Sequence, residues 1–249
     1  MEVCGFRANG RKNDELRPVL IDRGFAKFAE GSALITLGDT KVLCTATVKD
    51  DVPQWLRGAG QGWITSEYGM LPRSSPRRIV REAARGRPSG RTHEIQRLIG
   101  RSLRAIVDLT LIKDRTIWLD CDVIQADGGT RTASVTGSFV ALCDALTWLC
   151  GSEQGLPCLR GFVAATSVGI VGDEFLLDLD YSEDSAAAVD MNIVMTDTGK
   201  FIEIQGTAES EPFEPQSLDA LLSLGRSGIS QLVEIQRDVL GDISHLLAQ

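Results

Sequence analysis

The sequence predicts an α+β fold, two mixed sheets with packed helices. Three observations carry it. Period-two runs joined by glycine turns occur in both halves of the chain. Helix-period stretches with apolar faces stand between and after them. No proline-, glycine- or serine-rich linker divides the chain, so residues 1–249 are expected to form one domain with its core over about 10–242.

The elements follow in order. Val19 to Phe25 and Ala33 to Leu37 read as strands. Gly38-Asp39 is a tight-turn signal, and Lys41 to Val48 is the return strand. Gly62 to Tyr68 is another strand. The stretch from Pro72 to Gly90 has three prolines and an excess of arginine, and reads as a loop with a short helical piece around Ile79 to Ala84. From Thr92 the period changes. Ile95, Leu98, Ile99, Leu103, Ile106 and Val107 form one helical stripe, while Arg97, Arg101 and Arg104 form a cationic ridge on another. In the strand Thr116 to Ile124, Ile117, Leu119, Cys121 and Val123 point one way, and Trp118, Asp120 and Asp122 the other. An apolar helix covers about Thr132 to Cys150. Gly161 to Val171 and Glu174 to Asp180 make a hairpin through Gly172-Asp173. Asp190 to Thr196 and Lys200 to Gln205 make another through Asp197-Thr198-Gly199. Ser217 could cap a helix over Leu218 to Leu224. A further helix covers Ile229 to Leu240, with Gly225 and Gly228 as punctuation between the two.

Composition narrows the function. At 43% hydrophobic and 24% charged, the chain is ordinary for a soluble globular protein. Its six cysteines form no C-x-x-C pair, and two histidines are too few for a zinc site of usual spacing. Reduced thiols and a cytoplasmic location are the expectation. The first twenty residues are too charged for a signal-peptide core, and no apolar run approaches the roughly 18 residues of a membrane helix. No membrane partner is expected. Net charge is −8, yet residues 73–104 hold ten arginines against two glutamates. Arginine forks match phosphate oxygens and stack on bases, so this segment reads as a footprint for a polyanion.

Asp127-Gly128-Gly129-Thr130-Arg131-Thr132 lies between a strand and a helix. Adjacent glycines permit a tight turn and close backbone approach. The first amides of the helix are unpaired and carry partial positive charge, and Arg131 adds a fork. The result is an anion cradle, although these six residues alone read equally well as a plain strand-to-helix turn. Asp184 and Asp190 flank a small-residue bridge. They read as a pair sharing Mg²⁺, as turn aspartates capping backbone groups, or as general acid–base carboxylates. The Walker, dinucleotide and nucleophile-elbow motifs do not occur. The parts suit phosphoryl or nucleotidyl transfer.

Several long motifs carry a resemblance. They are Asn13-Asp14-Glu15-Leu16-Arg17-Pro18, Gly62-Trp63-Ile64-Thr65-Ser66-Glu67-Tyr68, Met70-Leu71-Pro72-Arg73 and the run from Ser89 to Arg101. To these are added the run from Leu119 to Ser134, Glu183-Asp184-Ser185 through Asn192, and Gln205-Gly206-Thr207-Ala208-Glu209. On these residues the chain resembles the ribonuclease PH family of phosphate-dependent 3′→5′ exoribonucleases. The resemblance implies a ribosomal-protein-S5-domain-2-like fold and a homohexamer built as a trimer of dimers. It implies trimming of tRNA precursor 3′ ends, with rRNA as a further substrate class, using inorganic phosphate as co-substrate. Arg91, Gly129, Thr130 and Arg131 would bind phosphate. Asp184 and Asp190 would be catalytic and hold Mg²⁺, with Mn²⁺ as the alternative metal. Arg73, Arg78 and Arg81 would contact RNA, joined by Arg97 and Arg101 of the helical ridge. The departures are His93 where methionine is frequent, and Arg85 and Arg87 where lysines are usual.

Overall fold

The computed structural model describes Arg7, residues 9–151, 156–209, 211–241 and Ile243, without the side chains at 83 and 85. Cys4 and His245 lie outside the described residues. The chain runs β1 (Val19–Arg23), β2 (Gly31–Leu37), β3 (Thr40–Lys49), β4 (Trp63–Met70), α1 (Gly90–Ala105), β5 (Thr116–Gln125), α2 (Thr130–Cys150), β6 (Val163–Val171), β7 (Glu174–Leu177), α3 (Tyr181–Ala186), β8 (Val189–Thr196), β9 (Phe201–Ala208) and α4 (Pro215–Val239).

Two sheets result, with strand orders β1-β2-β3-β5-β4 and β7-β6-β8-β9. In the first, β4 and β5 are parallel and the other pairs antiparallel. The second is antiparallel at every pairing, so the parallel pair belongs to the first sheet alone. The three glycine hairpins form where expected, with Leu37 opposite Thr40, Val171 opposite Glu174, and the Thr196 amide donating to Lys200 O at 2.9 Å.

α2 lies between the sheets, packed on β2 and β3 of one and β6 of the other. It is the one helix, among the described residues, long and apolar enough to cross a membrane, with mean hydropathy 1.4 over its most apolar window. The expectation of no such run is corrected. The reason is its position: 72% of that window is buried inside the protein, and a helix apolar all round is what a two-sided core requires. α1 packs on β4 and α4 on β6, β7 and β8. All six apolar residues of the predicted α1 stripe are buried.

The C-terminal region departs from expectation. One continuous helix replaces two, starting after Glu214 with Pro215 in its first turn rather than at Ser217. Gly225 and Gly228 sit inside it. A Cβ at Gly225 would lie 2.5 Å from Ile193 Cδ1, and one at Gly228 2.6 Å from Leu177 Cδ1. The glycines let the helix approach the sheet; they do not interrupt it. β7 also stops at Leu177, three residues early, because Asp178 takes a left-handed backbone at φ 53°.

Candidate active site

The glycine turn is built by four hydroxyls. Thr40, from the β2–β3 hairpin, accepts from the Asp127 amide at 2.9 Å and donates to Gly128 O at 2.7 Å. Thr130 Oγ1 meets the buried Tyr68 hydroxyl at 2.9 Å, and Thr132 Oγ1 donates to Gly129 O at 2.9 Å. Gly128 and Gly129 both take left-handed conformations, φ 73° and 64°. A Cβ at Gly128 would also lie 2.5 Å from Leu179 O, so the turn presses on the backbone that leads into α3. α2 starts at Thr130, two residues before the expected Thr132. The first-turn amides therefore belong to the cradle itself.

Two arginines flank the turn. Arg131, mostly buried, donates to Glu94 Oε1 at 2.9 Å and to Gln205 Oε1 at 3.1 Å. Arg91 is exposed in the first turn of α1, whose start is fixed by Ser89 accepting from the Thr92 amide at 3.2 Å. Burial raises the Tyr68 phenol above its ordinary pKa, against the opposing effects of the Thr130 hydrogen bond and the charges of Arg91 and Arg131.

The acids come from the second half of the chain, on α3 and β8. Asp184 lies on α3, a short helix over a stretch that the sequence reading took for a turn. Its start is a capping box: Asp180 accepts from the Glu183 amide at 3.0 Å, and Glu183 accepts from the Asp180 amide at 2.9 Å. The Asp180-x-x-Glu183 spacing was the available signal. Asp190 lies on β8, opposite Gly169 and Thr207. Asn192 follows on the same face, with Ser167 and Gln205 across from it. The Asp184 carboxyl is raised above the usual carboxylate range by burial first and by Asp190 second, with Arg91 and Arg131 acting against the shift. Acids and arginines thus act on one another electrostatically.

One cleft of about 890 Å³ brings the groups together. Arg91, Gly129, Thr130, Arg131, Asp184 and Asp190 all line it, and so do Arg77, Tyr181, Asn192 and Glu209, which sequence reasoning did not single out. Arg73, Arg78 and Arg81 are exposed on the adjoining 72–90 loop and do not line the cleft. Arg97 and Arg101 line a separate hollow of about 330 Å³. The cationic ridge is weaker than expected. Arg101 is paired with Glu203 at 2.8 Å, and Arg104 turns inward, stacking on Trp63 at 4.4 Å and donating to Ile64 O at 2.7 Å.

Among the described residues no group of three or more His, Cys, Asp or Glu side chains is arranged to hold a metal ion. The two facing aspartates are nonetheless a hard-oxygen set of the kind Mg²⁺ uses, since it binds through one or two carboxylates and keeps several waters. Burial, and after it the charge of Asp190, raise the Asp184 carboxyl, and a divalent cation would offset both.

Comparison with known proteins adds the following. The 3′ exoribonuclease family model matches residues 15–147 as its domain 1 and residues 161–228 as its domain 2. Ribonuclease PH of Moorella thermoacetica is 60% identical over 241 residues, covering 96% of each chain. Among solved structures, rice (Oryza sativa) Rrp46 matches with a TM-score of 0.77 at 20% identity, covering 94% of this chain and 100% of that one. The Archaeoglobus fulgidus exosome with RNA bound to the active site matches with a TM-score of 0.77 at 24% identity, covering 92% and 91%. At these identities the structural likeness concerns the fold.

Proposed function

The chain belongs to the ribonuclease PH family of 3′ exoribonucleases, and from that premise we propose that it trims the 3′ ends of tRNA precursors by phosphorolysis at the cleft just described. The observation that carries this reading is the convergence of Gly129-Thr130-Arg131, Arg91, Asp184 and Asp190, drawn from three helices and a strand, on one cleft.

The α2 amides, Arg91 and Arg131 neutralise and aim inorganic phosphate. Glu94 and Gln205 hold Arg131 in place. A phosphate oxygen attacks the last phosphodiester phosphorus in line, and the bond from that phosphorus to the preceding 3′-oxygen breaks. A nucleoside 5′-diphosphate leaves. The proton count closes without a strong protein base: the proton of monohydrogen phosphate ends on the new 3′-hydroxyl. Catalysis then rests on positioning and charge stabilisation, which this site is built to supply. Asp184 and Asp190 would hold Mg²⁺, or Mn²⁺ in its place, to stabilise charge on the transferring phosphoryl oxygens. Arg77 at the cleft wall and Arg73, Arg78 and Arg81 beside it would grip the RNA backbone, with Arg97 and the paired Arg101 further out. Binding would weaken with salt.

A homohexamer, a trimer of dimers, is part of the same reading. It is supported by apolar side chains that a lone protomer leaves in water, Phe28 at 92% exposure and Leu20 at 58%. Sedimentation would read the assembly size.

The test is a 3′-extended tRNA incubated with the protein and Mg²⁺, with and without inorganic phosphate. Nucleoside diphosphates released only with phosphate are expected. Monophosphates released without phosphate would make the protein a hydrolase and overturn the reading. Tight RNA binding without release would make it a non-catalytic ring subunit.

A further inference from the structure

Tyr181 is an aromatic side chain kept in water at the edge of the chemistry. It is 62% exposed and lines the cleft, the one aromatic residue to do so among the described residues. Nothing about its position is loose. It is the first residue of α3, set by the Asp180–Glu183 capping box, and Glu183 is itself paired with Arg7 and, at 3.4 Å, with Arg11. Its amide donates to Asp127 Oδ1 at 3.4 Å. The glycine turn abuts it closely enough that a Cβ on Gly128 would lie 2.9 Å from the Tyr181 nitrogen. The backbone is pinned while the ring stays out of the core. Hydration of an exposed ring is unfavourable, and a ring held there is a surface prepared for a flat apolar partner.

RNA offers such a partner. The arginines of the site address phosphate, which carries no base information. Trimming an arbitrary 3′ end calls for a contact that every base can make, and each base has a π-face. Tyr181 and Asp184 lie three residues apart on α3, hence on one face with Cβ atoms about 5–6 Å apart. A ring beside the carboxylates of the reacting phosphorus is at the right remove for the base of the nucleotide that carries that phosphorus.

We propose that Tyr181 is the stacking platform for the base of the 3′-terminal nucleotide, the one released. The proposal rests on the phosphorolytic reading above and adds the base subsite to it. It assigns the hydroxyl no role.

The experiment compares the wild type with Tyr181→Ala, Tyr181→Leu and Tyr181→Phe. Each is assayed with a short RNA ending in a normal nucleotide and with the same RNA ending in an abasic one. Equilibrium binding of both RNAs is measured in parallel. Loss of one base–aromatic stack should raise the RNA KM about tenfold in the alanine and leucine variants. The phosphate KM should not change, and phenylalanine should behave as the wild type. The abasic end should cost the wild type the same tenfold and cost the alanine variant nothing more. An alanine variant with wild-type KM would overturn the proposal. So would a phenylalanine variant as weak as alanine, or an abasic penalty equal in wild type and alanine variant. Failure of the wild type itself to release diphosphates would instead count against the phosphorolytic reading, and the binding measurements would still decide the stack.

Discussion

Arg17 and Asp178 are 161 positions apart and form a bidentate ion pair. Arg17 Nε donates to Asp178 Oδ2 at 2.9 Å and Nη2 to Oδ1 at 2.7 Å, with side chains 5% and 1% exposed. The Arg17 amide also donates to Asp178 Oδ2, at 2.8 Å. The third nitrogen, Nη1, donates to the carbonyl of Asp127 at the glycine turn. One guanidinium therefore ties the segment before β1, the glycine turn, and the stretch between β7 and α3. Burial alone would lower the Arg17 pKa, but hydrogen bonding and charge from Asp178 outweigh it and raise the value. The two halves of the cleft are held in register by this pair.

Removing the Arg17 side chain leaves the buried Asp178 carboxylate with the residue-17 amide, at 2.8 Å, and with Arg11, at 3.4 Å, as its one nearby cation among the described residues. Breaking a buried pair from one side costs about 3–5 kcal/mol. Arg17→Ala should lower unfolding stability by that amount in urea titrations. A loss below about 1 kcal/mol would show that the pair does not hold the halves together.

Gly225 and Gly228 supply an opposite sign from helix propensity. In an exposed helix, Gly→Ala gains about 1 kcal/mol. Here the new methyl meets Ile193 or Leu177, and overpacking costs about 1–3 kcal/mol. Both substitutions should lower the melting temperature, while Ser227→Ala, on the exposed face between them, should leave it nearly unchanged. A stabilised Gly225→Ala protein would mean the helix can stand off the sheet without loss.

What the sequence disclosed was local. Asp127 to Thr132 carries its turn in adjacent residues, so a tight strand-to-helix turn with left-handed glycines could be read without knowing what surrounds it. The β5 alternation and the α1 stripe were equally plain, because periodicity is a property of a short window. What escaped reading depended on distant partners. Gly225 resembles a break until Ile193 is seen beneath it. Arg101 resembles a free cation until Glu203, 102 positions on, is seen to pair with it. α3 is too short for a period to register, and only its capping pair marked it. Nor does the sequence show that Asp144, a charge within apolar α2, pairs with Arg23 at 2.7 Å.

Asp120 provides a pH test away from the chemistry. Its carboxyl is raised by burial first, then by Glu67 and Asp122, with Lys49 opposing. A carboxyl raised in the folded state binds its proton more tightly there than in the unfolded chain. Stability should therefore fall as pH rises from the unfolded value near 3.8 through the raised folded value, and the full penalty should be present at pH 7. Asp120→Asn removes that penalty. Relative to the wild type it should be more stable at pH 7, with the gain shrinking as pH falls through this window. A difference that stays constant with pH would show that the Asp120 charge is not what strains this face of the sheet.

Arg131 and Asp190 should divide the reaction between them. Arg131 is positioned by Glu94 and Gln205, and if it holds phosphate as proposed, its alanine variant loses charge-assisted hydrogen bonds of about 1.5–3 kcal/mol. That predicts a phosphate KM raised roughly 10- to 150-fold, with RNA affinity within about threefold of wild type. Arg131→Lys should recover little, because an ammonium is a point charge without the planar fork. Asp190 also lines the cleft and touches neither the glycine turn nor the arginine loop through any hydrogen bond described above. Asp190→Ala should lower kcat by about 10² or more, as loss of one element of charge stabilisation does, while RNA and phosphate still bind. Steady-state kinetics in varied phosphate, paired with RNA binding by fluorescence anisotropy, would read both predictions. If both variants lost RNA affinity to the same degree, the two sides of the cleft would be acting as a single binding surface and this division of labour would be wrong.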